Sequence, residues 1–142
     1  MKNFIECTVV YEKAEENGTA KLMKETVIVK KAETLGEAEQ TALQNFSAYS
    51  QGITSVVSAR ERKYAEAITT DNETCEGFYE TKIDVITIDE QTGKDRHTAF
   101  TYLVQASDID DARKKFDNHM KGTLLDFNVV SVKKTKITEI YG

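Results

Sequence analysis

The chain has 142 residues, of which 39% are hydrophobic and 30% are charged, a balance typical of a folded globular protein rather than a disordered one. Its 24 acidic and 19 basic side chains give a formal net charge of −5, which disfavours non-specific binding to nucleic-acid phosphates but is compatible with a local basic patch. No apolar run approaches the roughly 18 residues of a membrane span. Cys7 and Cys75 lie in contexts that do not suggest a disulfide. These features predict a soluble cytoplasmic protein with no membrane partner.

The first half of the chain predicts two strands, a helix and a third strand. Apolar residues alternate along Phe4–Tyr11, Gly18 follows in a polar turn, and Thr26–Val29 is strand-like again. A Thr-x-x-Glu pattern begins at Thr34, which is the form of a helix capping box. The apolar run Val56–Ser58 then predicts the third strand.

The second half repeats this order. Phe78 stands 74 residues after Phe4, and Ala106 stands 74 residues after Ala32. Asp108 takes the place of the capping threonine, and Val129–Ser131 matches the third strand. Such agreement, with gaps only in loops, predicts an internal duplication. The predicted divisions are residues 1–70 as the first β-β-α-β repeat, 71–77 as a linker and 78–142 as the second repeat.

This pattern predicts an α+β fold. In each repeat the helix connects two parallel strands, and the first strand fits between them, antiparallel to both, in spatial order 2-1-3. Two copies predict either one antiparallel-rich sheet of about six strands with both helices on one face, or two three-stranded sheets related by a pseudo-twofold axis.

Alternation along the strands predicts which side chains are buried. Ile5 and Cys7 point to one face of the first strand, and Tyr79 and Ile83 do so in the second repeat. The helices carry matching apolar stripes. These are Leu35, Ala38, Ala42, Phe46 and Tyr49 in the first helix, and Ile109, Ala112, Phe116 and Met120 in the second. The opposite sheet face is mixed in polarity, and it is either a binding surface or an ordinary solvated face.

No cluster of residues has the spacing of a catalytic, metal or cofactor site. His97 and His119 have no counterparts in the first repeat, and the strand position of Cys7 predicts burial. Glu6 and Glu80 are related by the repeat, and they are the residues that could support acid–base chemistry. The alternative interpretation is that each pairs with a basic neighbour across the strands. The sequence therefore predicts a protein that is not an enzyme and has no cofactor or metal.

The third strand of each repeat carries a basic run, with Tyr64 and Tyr141 nearby. Such strands can bind single-stranded nucleic acid through charge and stacking. Lysine is also a common guard of sheet edges against aggregation. The predicted binding residues are Phe4, Glu6, Phe78, Glu80, Arg60, Arg62, Lys63, Lys133, Lys134 and Lys136.

Several local patterns resemble a known family. They are the opening Phe4-Ile5-Glu6-Cys7, the turn at Gly18, the segment from Ile88 to Lys94, and Leu103–Ala106. Together they are similar to an uncharacterised family of Bacteroidetes gut bacteria and their phages. The resemblance implies a cytoplasmic protein of a bacterial host, encoded by a phage or another mobile element, and it supplies no catalytic residues.

The expected function is that of a non-enzymatic binding protein of phage or mobile-element origin, acting through protein–protein contact or self-assembly. The alternative is a nucleic-acid-binding accessory protein that uses the basic third strands.

Overall fold

The fold is that of an α+β protein. The computed structural model describes residues 4–14, 16–46, 54–70 and 77–141. Within these ranges the elements are β1 (Phe4–Ala14), β2 (Ala20–Lys30), α1 (Leu35–Phe46), β3 (Ser55–Glu61), β4 (Glu66–Ile68), β5 (Gly77–Ile88), β6 (Asp95–Ala106), α2 (Ile109–Met120), β7 (Asp126–Lys134) and β8 (Ile137–Tyr141).

The strands form two separate sheets of four. One has the order β3-β1-β2-β8 and the other has the order β4-β6-β5-β7. The first strand of each predicted repeat lies between the second and third and is antiparallel to both, so the predicted order 2-1-3 is confirmed in both halves. The prediction of three strands per sheet is wrong, because each sheet has a fourth strand. The duplication itself stays a prediction.

The fourth strand of each sheet comes from a distant part of the chain. β8 pairs in parallel with β2, and β4 pairs in parallel with β6. The two compact units are therefore made of the described residues of Met1–Lys63 with Lys136–Gly142, and of Tyr64–Thr135. These units differ from the linear repeats predicted at residues 1–70 and 78–142, because the last strand after each third strand joins the sheet of the other half. Residues 71–76 of the predicted linker lie outside the described part of the chain.

Each helix covers one face of its own sheet. In the first unit the core is formed by the inward residues of β1 and β2 with Ala38 and Ala42 of α1. In the second unit Phe116 is fully buried among Tyr102 and Phe127, with ring centroids 5.2 and 5.7 Å away. The predicted alternation is confirmed, since Ile5, Cys7, Val9, Tyr11, Tyr79, Thr81, Ile83 and Val85 are all buried.

The helix stripes are confirmed in part. Ala112, Phe116 and Met120 are buried, whereas Leu35 and Ile109 are exposed. Each exposed residue is the first of its helix, where the side chain projects over the turn before the helix rather than onto the sheet. The side chain of Phe46, and Tyr49, lie outside the described residues.

The two helices begin with the same cap. The Thr34 hydroxyl accepts a hydrogen bond from the Glu37 amide at 3.0 Å, and the Glu37 carboxylate accepts one from the Glu33 amide at 3.3 Å. In α2 the Asp108 carboxylate accepts from the Asp111 amide at 2.8 Å, and the carboxylate of Asp111 accepts from the Ser107 amide at 3.0 Å. The predicted caps are thus confirmed, with the returning bond one residue earlier than in a standard capping box.

Candidate functional site

The predicted carboxylate of the first repeat is held in an ion-pair network. Glu6 faces Arg60 across the β1–β3 pair, and its carboxylate lies 2.6 Å from the Arg60 Nε and 3.8 Å from an Arg62 guanidinium nitrogen. Glu6 is mostly covered while Arg60 extends into solvent. This geometry matches the structural alternative, in which the carboxylate pairs with a basic neighbour across the strands.

Its counterpart Glu80 has a related setting. Glu80 faces Lys133 across the β5–β7 pair, and its carboxylate accepts a hydrogen bond from the Tyr64 hydroxyl at 2.8 Å. The Tyr64 ring is buried. Glu6 and Glu80 belong to different units, and each has close polar partners within its own unit.

The aromatic members of the predicted binding surface are covered. Phe4 is 7% exposed and Phe78 is 3% exposed. Tyr64 is buried and Tyr141 packs against the core of the first unit. A phenylalanine or tyrosine ring has a large apolar area, and leaving it exposed to water is unfavourable. Such rings are therefore usually covered even on a sheet face of mixed polarity. Phe4, Phe78 and Tyr64 therefore leave little ring surface exposed for a base to stack on, whereas Tyr141 is only partly buried. The charged members of the predicted binding surface stay a prediction.

The basic residues lie on or just beyond edge strands. β3 and β7 are each at the edge of a sheet, and Arg60, Lys133 and Lys134 are exposed on them. Lys63 and Lys136 follow these strands and are exposed as well. Lysines at an edge oppose the pairing of that edge with another chain.

The same two edge strands carry a second guard, which the sequence did not predict. In β3 the register shifts so that Val56 faces Val9 and Ser58 faces Thr8, leaving Val57 as an extra residue. In β7 Val130 is the extra residue between Val129 and Ser131. A β-bulge interrupts the regular row of backbone groups that a new strand would need. The signal in the sequence was the run of three apolar or small residues in each third strand, which breaks the alternation.

The opposite edges also carry basic residues, Lys21 and Lys24 on β2 and Arg96 on β6, but the described strands show no bulge there. β2 has 11 residues, but β8 pairs only with Thr26–Val29. β6 has 12 residues, but β4 pairs only with Tyr102–Val104. Residues Ala20–Glu25, the β2 free edge, and Asp95–Phe100, the β6 free edge, therefore have no second neighbour among the strands that the structure describes. Most of their residues are exposed. These edges were not predicted from the sequence, because neither the fourth strands nor their short length was expected.

Each histidine lies beside one carboxylate. The His97 Nδ1 lies 2.6 Å from a carboxylate oxygen of Asp84, and the His119 Nε2 lies 2.7 Å from one of Glu66. The hydrogen bond with Asp84, and its negative charge, raise the pKa of His97. Within the described residues there is no group of three or more histidine, cysteine or acidic side chains able to hold a metal ion.

Cys7 is fully buried in the first core. Burial raises the pKa of its thiol to about 11, and the negative charges of Glu39 and Glu6 act in the same direction. A thiol held protonated in this way is a poor nucleophile. Cys75 lies outside the described residues.

Comparison with known proteins places nearly all of the chain in one family. A search of curated proteins and a search of solved structures each found no significant match. Within the described residues, no helix has the length and apolar character needed to cross a membrane. The family model described as a domain of unknown function, DUF4494, matches residues 3–142. The chain therefore belongs to the DUF4494 family.

Proposed function

We propose that this chain is a non-enzymatic interaction protein that acts through protein–protein contact or self-assembly. The observation that supports this proposal is the contrast between the sheet edges. β3 and β7 each carry a bulge. Among the described strands, the β2 and β6 free edges have no bulge and no second neighbour along Ala20–Glu25 and Asp95–Phe100.

An unpaired edge is suited to binding an extended segment of protein. Every second residue of such a strand directs its N–H and its C=O away from the neighbouring strand, in the plane of the sheet. A docked strand satisfies these groups in a regular ladder of hydrogen bonds. Exposed side chains on either side then select the partner. Leu22 is 68% exposed on the β2 free edge and Phe100 is 39% exposed on the β6 free edge, so each edge offers an apolar side chain as well as backbone groups.

A photo-crosslinking experiment tests this proposal. Benzoylphenylalanine is introduced into the full chain at Lys24 or Ala99 on the free edges, and at Val57 or Val130 on the guarded edges as matched exposed controls. In cells that naturally make the protein, we expect protein adducts from Lys24 or Ala99 and few from Val57 or Val130. Leu22→Pro or Ala99→Pro should abolish the adducts, because proline removes an outward N–H that none of the described strands of its sheet uses. Leu22→Ala, which keeps the N–H, should retain them. Absence of protein adducts at both free edges would contradict the proposal.

The origin and location of the protein form a separate part of the proposal. The resemblance noted in the sequence supports a phage or mobile-element protein that acts in the cytoplasm of a bacterial host. A survey of the genes that lie next to those of family members tests this statement. We expect neighbours with phage structural, replication or anti-defence functions, and a consistent setting among housekeeping genes would contradict it.

The second candidate is a nucleic-acid-binding accessory protein. The exposed lysines Lys133 and Lys134 favour it, whereas the covered Tyr64 and the pairing of Arg60 with Glu6 do not. Binding of labelled single-stranded DNA and RNA, measured at low and moderate salt, tests it. A nucleic-acid binder should lose affinity as salt rises, and Lys133→Ala with Lys134→Ala should reduce both the affinity and the salt dependence. Lys114→Ala on α2 is the matched control.

A further inference from the structure

We infer that two copies of this chain pair with each other through the β2 free edge, antiparallel and centred on Met23. This inference rests on the proposed function and names the partner of one of its edges. Three features of Ala20–Glu25 support it, namely the direction of its backbone groups, the order of its charges and its apolar centre.

The backbone direction fixes which residues can pair. The Thr26 C=O points away from β1, since it accepts a hydrogen bond from the Thr138 hydroxyl of β8 at 3.3 Å. Alternate residues of a strand direct their polar groups to the same side, so Leu22 and Lys24 also point away from β1. A twofold axis at Met23 places Leu22 opposite Lys24 of the second copy, and Lys24 opposite its Leu22. Each of these pairs exchanges two backbone hydrogen bonds.

The charges are complementary in this register. Lys21 lies opposite Glu25 of the second copy, and Glu25 lies opposite Lys21 of that copy, which gives two ion pairs by symmetry. Lys21 also faces Lys13 within its own chain, and like charges directly opposite each other are destabilising. A carboxylate on the free side of Lys21 offsets that repulsion. Centring the pair on Lys21 or on Lys24 would instead place identical charges face to face.

The centre of the pairing is apolar. Met23 faces Tyr11 on β1, and Met23 is a partly buried residue that packs against the first core. In the twofold arrangement the two Met23 side chains meet at a non-hydrogen-bonded position, where Cα atoms lie closest. The apolar row of Tyr11 and Met23 is thereby continued into the second copy. On the other face, the exposed Leu22 gains the methylene groups of Lys24 as a neighbour.

The β6 free edge lacks this complementarity. Its outward residues include Thr101, whose C=O accepts from the Ala65 amide at 2.8 Å. The equivalent twofold register, centred on Thr98, would place Arg96 opposite Phe100 and Asp95 opposite Thr101. No pair of opposite charges results, so the observations favour β2 as the edge that binds a second copy.

Charge reversal tests the inference. Sedimentation velocity of the full chain across a wide concentration range is compared for wild type, Lys21→Glu, Glu25→Lys and the double variant. We expect the wild type to dimerise, each single variant to raise the dissociation constant by about tenfold, and the double variant to return it to within about threefold of wild type. Lys114→Glu on α2 is the control for net charge and should leave dimerisation unchanged. Circular dichroism of each variant confirms that it is folded.

The remaining outcomes separate this inference from the proposed function. Single and double variants with equal dimerisation would overturn the β2 register, and so would dimerisation that persists in these variants but is lost in Ala99→Pro. If the chain is a monomer at every concentration but still forms Lys24 adducts with another protein, the inference of a second copy as the partner is wrong. The proposed function would then still stand. A monomer without adducts at either free edge would overturn both.

Discussion

Val57 and Val130 occupy equivalent places in two different sheets: each is the extra residue of a β-bulge in an edge strand, and each is 58% exposed. A valine at such exposure contributes little to the core, so its position is explained by the backbone rather than by packing. The two bulges leave the outer edges of β3 and β7 poorly suited to pairing. The described pairings show no such bulge along the β2 and β6 free edges, and this contrast underlies the proposed function.

The exposed bulges should tolerate polar substitution. Val57→Ser and Val130→Ser should each change the free energy of unfolding by no more than about 0.5 kcal/mol, because neither side chain is buried. Val9→Ser is the control, since Val9 is fully buried and a hydroxyl there would lose apolar burial and leave a polar group without water, at a cost of about 2 kcal/mol or more. Urea denaturation measures each value. A large loss in both bulge variants would show that the valines pack against something.

Replacing a buried threonine should stabilise the second unit. Thr81 is fully buried and its hydroxyl has no hydrogen-bond partner among the described residues. In the predicted repeat its counterpart is Cys7. Thr81→Val keeps the shape and removes the unsatisfied hydroxyl, so we expect the free energy of unfolding to rise by about 1 kcal/mol. Thr98→Val, at an exposed position of β6, should change it far less. A destabilised Thr81→Val would indicate a hydroxyl that is satisfied in solution.

The Asp111 cap should make stability depend on acidic pH. The Ser107 amide and then Lys115 lower the pKa of the Asp111 carboxyl from 3.8 to about 2. Because the pKa of Asp111 is lower in the folded chain than in the unfolded one, the ionised carboxylate stabilises the fold above about pH 4. This stabilisation is lost as the pH falls towards 2. Asp111→Asn should therefore reduce the free energy of unfolding by about 1 kcal/mol at neutral pH. The difference from wild type should close between pH 4 and 2.

Asp110→Asn is the matched control for this change, since Asp110 is in the same first turn of α2. It should show a smaller difference from wild type at neutral pH. A difference between wild type and Asp111→Asn that stays constant down to pH 2 would contradict the role given to the carboxylate.

The thiol of Cys7 should destabilise the fold at alkaline pH. Its pKa is raised from 9.0 to about 11, so the folded chain retains a proton that the unfolded chain loses. The contribution of the protonated thiol to the free energy of unfolding is therefore fully present below about pH 9 and falls as the pH rises towards 11. In a Cys75→Ser background, Cys7→Ala should give a shallower fall of the free energy of unfolding over that range. Cys7 should also react with a thiol reagent only after unfolding. Fast labelling of the native chain would contradict its burial.

The sequence predicted local features better than long-range ones. The inward alternation of β1 and β5 and the caps at Thr34 and Asp108 depend on residues close together in the chain, and the structure confirms them. The fourth strands were not predicted, because β4 has only three residues and β8 only five. Segments so short carry little pattern, and their partners lie far along the chain.

The candidate site was harder to predict for the same reason. An edge is free only when no other strand covers it, and that depends on how far β8 and β4 extend along β2 and β6. Glu6 was predicted as a candidate from the repeat, and the structure gives it a partner in Arg60, 2.6 Å away. The buried Phe4 and Phe78 lie on a face whose mixed polarity suggested exposure.

Amide hydrogen exchange along β2 tests the central claim most directly. Lys21 and Met23 direct their N–H groups towards β1, so their amides should be protected at every protein concentration and serve as internal controls. The amides of Leu22 and Lys24 point away from β1, and in the isolated chain they should exchange rapidly. We predict that their protection rises as the full chain associates. Exchange of Leu22 and Lys24 that stays fast under conditions where the chain is bound to itself or to another protein would contradict the use of this edge.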